Sequence, residues 1–351
     1  MKPFMRATFL AILLLPGVAA AQSLDEVRDH LSMLAKVPAV TGHEQSLSSL
    51  IADQLKKSGL NPQIDFMSNV TVTLGSGTPH RMLVASLDEP GFIVSGITEE
   101  GYLRMQRIGT AKAFPYFDQY FEGQRLTIRT SNGKTLSGVL SIPSTHLTRG
   151  ANRVEKPFDL VDGYIDIGVK SLAEASELGV KILDPISIEK GVTTLAQDHI
   201  SGPFLSDRVG AAVLMSILMT TAKSQIKGTV TFAFTTQEHF GRKGLDRMTV
   251  AFEPDQVYVL EALNPSAPED SVVSVDVQAA PAVRKMIEKF AGMREASLRA
   301  VPQSPQWKDG TEVVRLGIPI RFYATPVEVL DLKSVQSTIR FLRTIVLSGV
   351  S

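Results

Sequence analysis

From residue 206 to the C-terminus, helix-length and strand-length apolar segments alternate. The spacing predicts a helix near 206–222, strands at 229–236 and 255–261, a helix at 281–291 and a strand at 297–301. It continues with a helix near 309–316, a strand at 318–323 and a closing helix at 331–347. Such alternation demands a largely parallel or mixed sheet with helices on both faces. The first 85 residues add to the same layers. Leu24, Val27, Leu31 and Leu34 recur at helical spacing behind a Ser23–Glu26 capping box. Thr41 and Glu44 repeat that signal ahead of Leu47, Leu50, Ile51 and Leu55, with Gly59 as the stop. Short strands are expected at about 70–74 and 82–87. "MLVAS" is apolar throughout, as a strand covered on both faces is.

From Gly91 the texture changes. "GFIVSGITEEGYLRMQRIG" and "GQRLTIRTSNGKTLSGVLSIP" are short alternating strands around Glu-Gly and Asn-Gly turns. Residues 90–160 therefore read as a small all-β insert within one α/β domain made of 22–89 and 161–351. Residues 1–21 read as an export signal: Lys2 and Arg6, an apolar core from Phe9 to Leu15, and Ala19-Ala20-Ala21 before the expected cleavage. That core is too short to span a bilayer. The mature chain is expected in a periplasm or outside the cell, with no membrane segment. The chain has no cysteine, which excludes thiol catalysis and Cys-based zinc sites. Lys+Arg 36 balances Asp+Glu 36, so no net field favours nucleic acid.

Chemistry in such sheets sits at the carboxyl ends of strands. That rule marks Ser86 to Asp88, Glu238 to His239, Glu261 to Asn264 and Tyr323 to Glu328, with the 199–208 loop within reach of the same rim. Three stretches carry the chemistry-bearing residues: "ASLDEPGF", "LSDRVGAAVL" and "QEHFGRKG". With "YIDIGVKSLAEASELGVKILDPI" and "DGTEVVRLGIPIRFYATPVEVLDL", and in this order, they resemble the glutamyl and tetrahedral aminopeptidases, cocatalytic zinc exopeptidases. The resemblance covers nearly the whole mature chain. It implies a zinc-aminopeptidase-like mixed sheet flanked by helices, and an inserted β domain that builds homo-oligomers. It also implies zinc or cobalt as cofactor and peptides as substrates.

The resemblance also assigns roles, and here the chain departs from the family. Glu238 stands at the catalytic base and Asp88 at the residue that orients the first histidine ligand. The five ligand positions hold Ser86, Ser206, His239, Glu261 and Ala324. His239 and Glu261 can still bind metal; Ser86, Ser206 and Ala324 have lost the expected donor. Asp207 and Arg208 are expected to line the cleft. Unit charges at 4 Å repel by roughly 4 kcal/mol at an effective dielectric of 20, and two dications about four times as much. The bridging carboxylate that offsets this is replaced by the neutral Ser206. The residues thus read as an inactive or atypical member. Two other readings stay open: a hydrolase with one metal among Glu238, His239, Glu261, Asp207 and Asp88 or His199, and a non-catalytic peptide-binding scaffold. A serine hydrolase using Ser86 or Ser206 with His239 lacks the Gly-x-Ser-x-Gly elbow.

Overall fold

The computed structural model describes residues 16–109, 118–141, 158–160, 162–221, 226–263, 273–276, 296–299 and 312–348. The expected helix at 281–291, the end of the strand at 297–301, and Asn264 lie outside them. The helices are α1 (Pro16–Leu34), α2 (Gln45–Lys57), α3 (Leu172–Glu177), α4 (Ser206–Thr220), α5 (Lys243–Phe252) and α6 (Leu332–Ser348). Strands β1 (Gln63–Ile64), β2 (Val70–Ser76), β3 (His80–Ser86), β12 (Gly228–Thr235), β13 (Gln256–Leu263), β14 (Val273–Asp276), β15 (Ala296–Arg299) and β16 (Glu312–Pro319) form one sheet. Its order is β1-β2-β12-β3-β13-β16-β14-β15. The four central strands, β12, β3, β13 and β16, run parallel, so their carboxyl ends share one edge.

The apolar run of β3 has a plain cause. Leu83 and Ala85 point into a large core shared with α1, α2, α4 and α6, while Met82 and Val84 point into a second core with Leu245 and Met248 of α5. Both faces are covered, as the run predicts.

Three expectations of local structure change. Of the segment near 309–316, expected as helix, the described residues from Glu312 on form the strand β16. Val313, Val314 and Ile318 are β-branched, and β13 pairs in parallel with Glu312–Pro319. The strand expected at 318–323 is the end of β16 followed by a turn. Helix α1 reaches back to Pro16, so the Ser23–Glu26 pair lies inside it; proline suits a first helical turn and the alanines that follow favour helix.

The insert is a closed barrel of β4 (Gly91–Ile97), β5 (Leu103–Ile108), β6 (Arg125–Arg129), β7 (Thr135–Ser141), β8 (Tyr164–Asp166) and β9 (Pro185–Ile188). It extends past the boundary expected at 160, because β8 bridges β5 to β7 and β9 bridges β4 to β6. Without those two strands the barrel has open edges. A third small sheet pairs β10 (Thr193–Thr194), β11 (His199–Gly202) and β17 (Glu328–Asp331). Its register sets Gly202 opposite Glu328, which brings the start of α4 to the loop at 321–328.

Two buried carboxylate systems fix the sheet edge. Glu89 is fully buried and bonds the equally buried Arg208 guanidinium at 2.6 Å and the Lys190 ammonium. Burial alone pushes a carboxyl up, but these two cations hold Glu89 below its ordinary value. Arg208 also donates to the carbonyl of Leu87 at 2.7 Å. It therefore pins the β3–β4 junction from inside the protein and does not line the cleft as expected.

The second system holds the turn after β12. Asp88, fully buried, accepts from the backbone N–H of Glu238 at 2.9 Å and of His239 at 3.0 Å. Glu44, also fully buried, accepts from the N–H of Gln237 at 2.9 Å and of Gly42 at 2.8 Å. Glu44 is thus not the third residue of a Thr41 capping box. It is the residue preceding α2, and its side chain reaches across to the turn. Gly244 completes this arrangement: a Cβ there would sit 2.3 Å from the carbonyl oxygen of Thr236 and 2.5 Å from Asn69 Oδ1.

Glu89→Gln is expected to lower stability by about 3–5 kcal/mol, because two buried cations lose their anion. Urea denaturation measures this, and a loss below about 1 kcal/mol, the level of a surface ion pair, overturns the account. Glu44 gives a pH signature. Burial first, then the nearby Asp88, push its carboxyl up to about 7. Folding therefore favours its protonated form, and this contribution is lost as pH rises from its unfolded value through 7. Glu44→Gln should gain on the wild type by up to about 3 kcal/mol between pH 5 and 8. A pH-independent difference in denaturation midpoint contradicts that.

Candidate functional site

Four chain segments meet at the carboxyl edge of the central strands: the end of β3, the turn after β12, the end of β13, and the 321–328 loop with the start of α4. The turn after β12 begins at Gln237, whose backbone is left-handed (φ 56°), and continues as a short 3-10 turn over Glu238–Phe240. Asp88 and Glu44 satisfy its backbone N–H groups, so the turn is held from below and its side chains project outward. Glu238 and His239 diverge, as neighbours in an extended-to-turn segment are expected to.

Glu238 meets Arg242, whose Nε lies 2.8 Å from Oε1. The same guanidinium donates through Nη2 to Glu261 Oε1 at 2.9 Å. Arg242 thus bridges the two carboxylates. Arg315 closes on Glu261 from the neighbouring strand, with Nη2 at 2.7 Å from both carboxylate oxygens. Register explains the reach. Glu261 lies opposite Gly317, and Arg315 is two residues earlier on the same face of β16. A Cβ at Gly317 would fall 2.0 Å from Leu263 Cδ1, so a side chain there would require Leu263 to move. Burial pushes the Glu238 carboxyl up to about 7; Arg242 opposes this, while Glu261 and Asp88 reinforce it.

His239 takes a different partner. Its Nε2 is 3.5 Å from Asp207 Oδ1. Burial would lower the imidazole, but the hydrogen bond and charge of Asp207, with Asp88 and Glu238 beyond, carry it up to about 9. Asp207 thus favours the charged imidazole, whereas a metal ligand is the neutral form.

At Ser206 the backbone N–H donates to Glu328 Oε2 at 2.6 Å and the hydroxyl to Oε1 at 2.7 Å. Ala324, in a left-handed conformation (φ 59°), donates its N–H to the same Oε1 at 2.6 Å. Two of the expected ligand positions are therefore joined by Glu328, a buried carboxyl pushed up to about 8 by desolvation and by Asp207. The Ser206 hydroxyl is committed to that carboxyl, which removes the support for a serine nucleophile there. Ser86 ends β3 beside Thr235. His199 turns its Nδ1 to the carbonyls of Ala196 and Gln197 and does not join the cluster.

Zinc needs three or four nitrogen, sulfur or carboxylate donors in one small sphere. Among the described residues no three His, Asp or Glu side chains converge in that way. Glu261 is enclosed by two guanidinium groups, His239 is paired with Asp207, and Ser86, Ser206 and Ala324 offer no anionic or imidazole donor. A dication about 4 Å from one fixed guanidinium is repelled by about 8 kcal/mol at an effective dielectric of 20. These residues do not fit a dinuclear centre. Arg242, Arg315 and Glu44 were not legible as site residues, although signals existed, while Glu328 was marked only as the end of the Tyr323–Glu328 rim segment. Arg242 is four residues after Glu238, and Arg315 is a lone charge in the apolar run "VVRLGIPI".

Comparison with known proteins agrees with the architecture. The putative aminopeptidase FrvX of Escherichia coli is 28% identical over 231 residues, which spans 66% of this chain and 63% of that relative. The lysyl aminopeptidase of Pyrococcus furiosus is 23% identical, with 90% of this chain and 95% of the relative covered. Among solved structures, the TET1 peptidase of Pyrococcus horikoshii, which assembles into a tetrahedron or a large octahedral shell, superposes with a TM-score of 0.81. It is 24% identical and covers 92% of this chain and 99% of its own. The aminopeptidase of the archaeon Desulfurococcus kamchatkensis gives 0.80 at 22% identity, covering 94% and 95%. Residues 68–286, well over half of the chain, match the family described as M42 glutamyl aminopeptidase. The chain belongs to the M42 glutamyl aminopeptidase family, a family of metal-dependent aminopeptidases.

Proposed function

We propose that this chain is an exported M42 protein in which the two-metal hydrolytic centre has been given up, and that its cleft serves peptide binding or assembly. The observation that carries this reading is the engagement of Glu238 and Glu261 by Arg242 and Arg315. The residue at the base position and the carboxylate expected to bind metal are both paired with cations of the chain itself. A general base needs a free lone pair aimed at a water, and a metal to make that water acidic. One oxygen of Glu238, Oε1, is taken by Arg242 Nε. The pairing of His239 with Asp207 and the neutral Ser86, Ser206 and Ala324 point the same way.

Assembly through the barrel is part of the proposal. It is supported by Tyr120, Val139, Ile182 and Leu183, which stand 45%, 45%, 52% and 62% exposed on the insert. Export rests on the N-terminal segment. Among the described residues no helix is long and apolar enough to cross a membrane.

Metal content and activity test the central claim together. Protein purified without chelator is expected to hold substoichiometric zinc and cobalt, and to leave aminoacyl-nitroanilides of varied N-terminal residue uncleaved when either metal is added. Roughly one equivalent or more of bound metal, lost in Glu261→Ala, together with hydrolysis, overturns the proposal in favour of an active enzyme. The export claim has its own measurement. N-terminal sequencing of protein recovered from outside the cytoplasm should begin at Gln22; an intact Met1 there contradicts cleavage.

A further inference from the structure

The chain itself supplies the positive charge that its family takes from solution. The Arg242 guanidinium spans two carboxylates that come from different elements, Glu238 on the turn after β12 and Glu261 on β13, at 2.8 and 2.9 Å. Arg315 adds a second cation on Glu261, bonded to both oxygens at 2.7 Å. Two carboxyl groups thus face two guanidinium groups. All four side chains are largely buried, with 16–23% of each exposed, so solvent screens them only in part. A guanidinium stays protonated in proteins, and its planar fork can hold two acceptors at once. A lysine ammonium keeps the charge without the fork.

We infer that Arg242 and Arg315 are a built-in cation pair standing in place of metal charge, Arg242 as the bridge and Arg315 as the clamp, and that they keep the acidic edge folded without metal. This rests on the reading above that the centre takes no metal. It goes further, because it assigns the replacement to two residues and makes metal indifference a property of those two side chains.

Three versions of the full mature chain separate the possibilities: wild type, Arg242→Met/Arg315→Met, and Arg242→Lys/Arg315→Lys. Each is melted by circular dichroism with chelator and with excess zinc or cobalt, and bound metal is counted after dialysis. The wild type is expected to melt at the same temperature with and without metal. The methionine pair should melt at least about 5 °C lower, as a loss of buried charge compensation implies for a chain of this size. Zinc should restore part of that loss, since Glu238 and Glu261 are then uncompensated. The lysine pair should melt between the two and show no zinc response. If the methionine pair does not fold, Arg242→Met alone carries the same comparison.

Stoichiometric metal on the wild type sinks the reading beneath the inference. A metal-free wild type with a methionine variant that neither loses stability nor responds to zinc sinks the inference alone. A lysine pair that responds to zinc as strongly as the methionine pair shows that charge is not what the arginines contribute, and also overturns it.

Discussion

Three successive backbone N–H groups, those of Gln237, Glu238 and His239, are held by two buried carboxylates, Glu44 and Asp88. The functional edge of this protein depends on that arrangement. A strand that ends in a left-handed residue leaves its next N–H groups without ladder partners, and buried donors of that kind cost about 1–3 kcal/mol each if unsatisfied. Asp88 follows β3 and Glu44 precedes α2, so the turn is tied to two other parts of the fold. Once the turn is fixed, the directions of Glu238 and His239 follow. So does the position of Arg242, which immediately precedes α5 only a few residues later.

This explains why the acidic texture of the edge persists although the expected ligand set is broken. Asp88 and Glu44 have structural work independent of any metal: they terminate backbone. Glu328 likewise gathers the N–H groups of Ser206 and Ala324 and the Ser206 hydroxyl. Each carboxyl is bound to the protein's own donors. Loss of the ligands at 86, 206 and 324 therefore leaves no unpaired anion among these three, and the fold is not penalised for it.

The layers were legible in the sequence because burial writes them as period and length. The apolar β3 and the long amphipathic helices gave the mixed sheet, and the Glu-Gly and Asn-Gly turns gave the barrel's hairpins. What failed was set by tertiary pairing. Residues 309–316 have enough apolar spacing for a helix, and the partner β13 makes part of them a strand. The barrel's closing strands β8 and β9 are three and four residues long, too short to show a period. At the site, the residues placed by resemblance were found at one edge, but their partners were not foreseen. Spacing cannot show that Arg315 reaches Glu261 from the neighbouring strand, or that Arg208 turns inward to Glu89. Such contacts depend on register and on which side of the backbone a long side chain leaves.

The origin of the counter-charge then decides what kind of protein stands on this fold. Stabilisation by a bound ion varies with the free concentration of that ion, as RT ln(1 + [L]/Kd). Stabilisation by a tethered guanidinium does not. A tethered cation also cannot act as a Lewis acid toward a water or a carbonyl, as a metal can. On the proposed reading, Arg242 on Glu238 and Glu261 exchanges one property for another: the acidic edge becomes independent of metal supply, and the means of activating water is given up. The barrel and the central sheet are held by strand pairings that involve neither guanidinium.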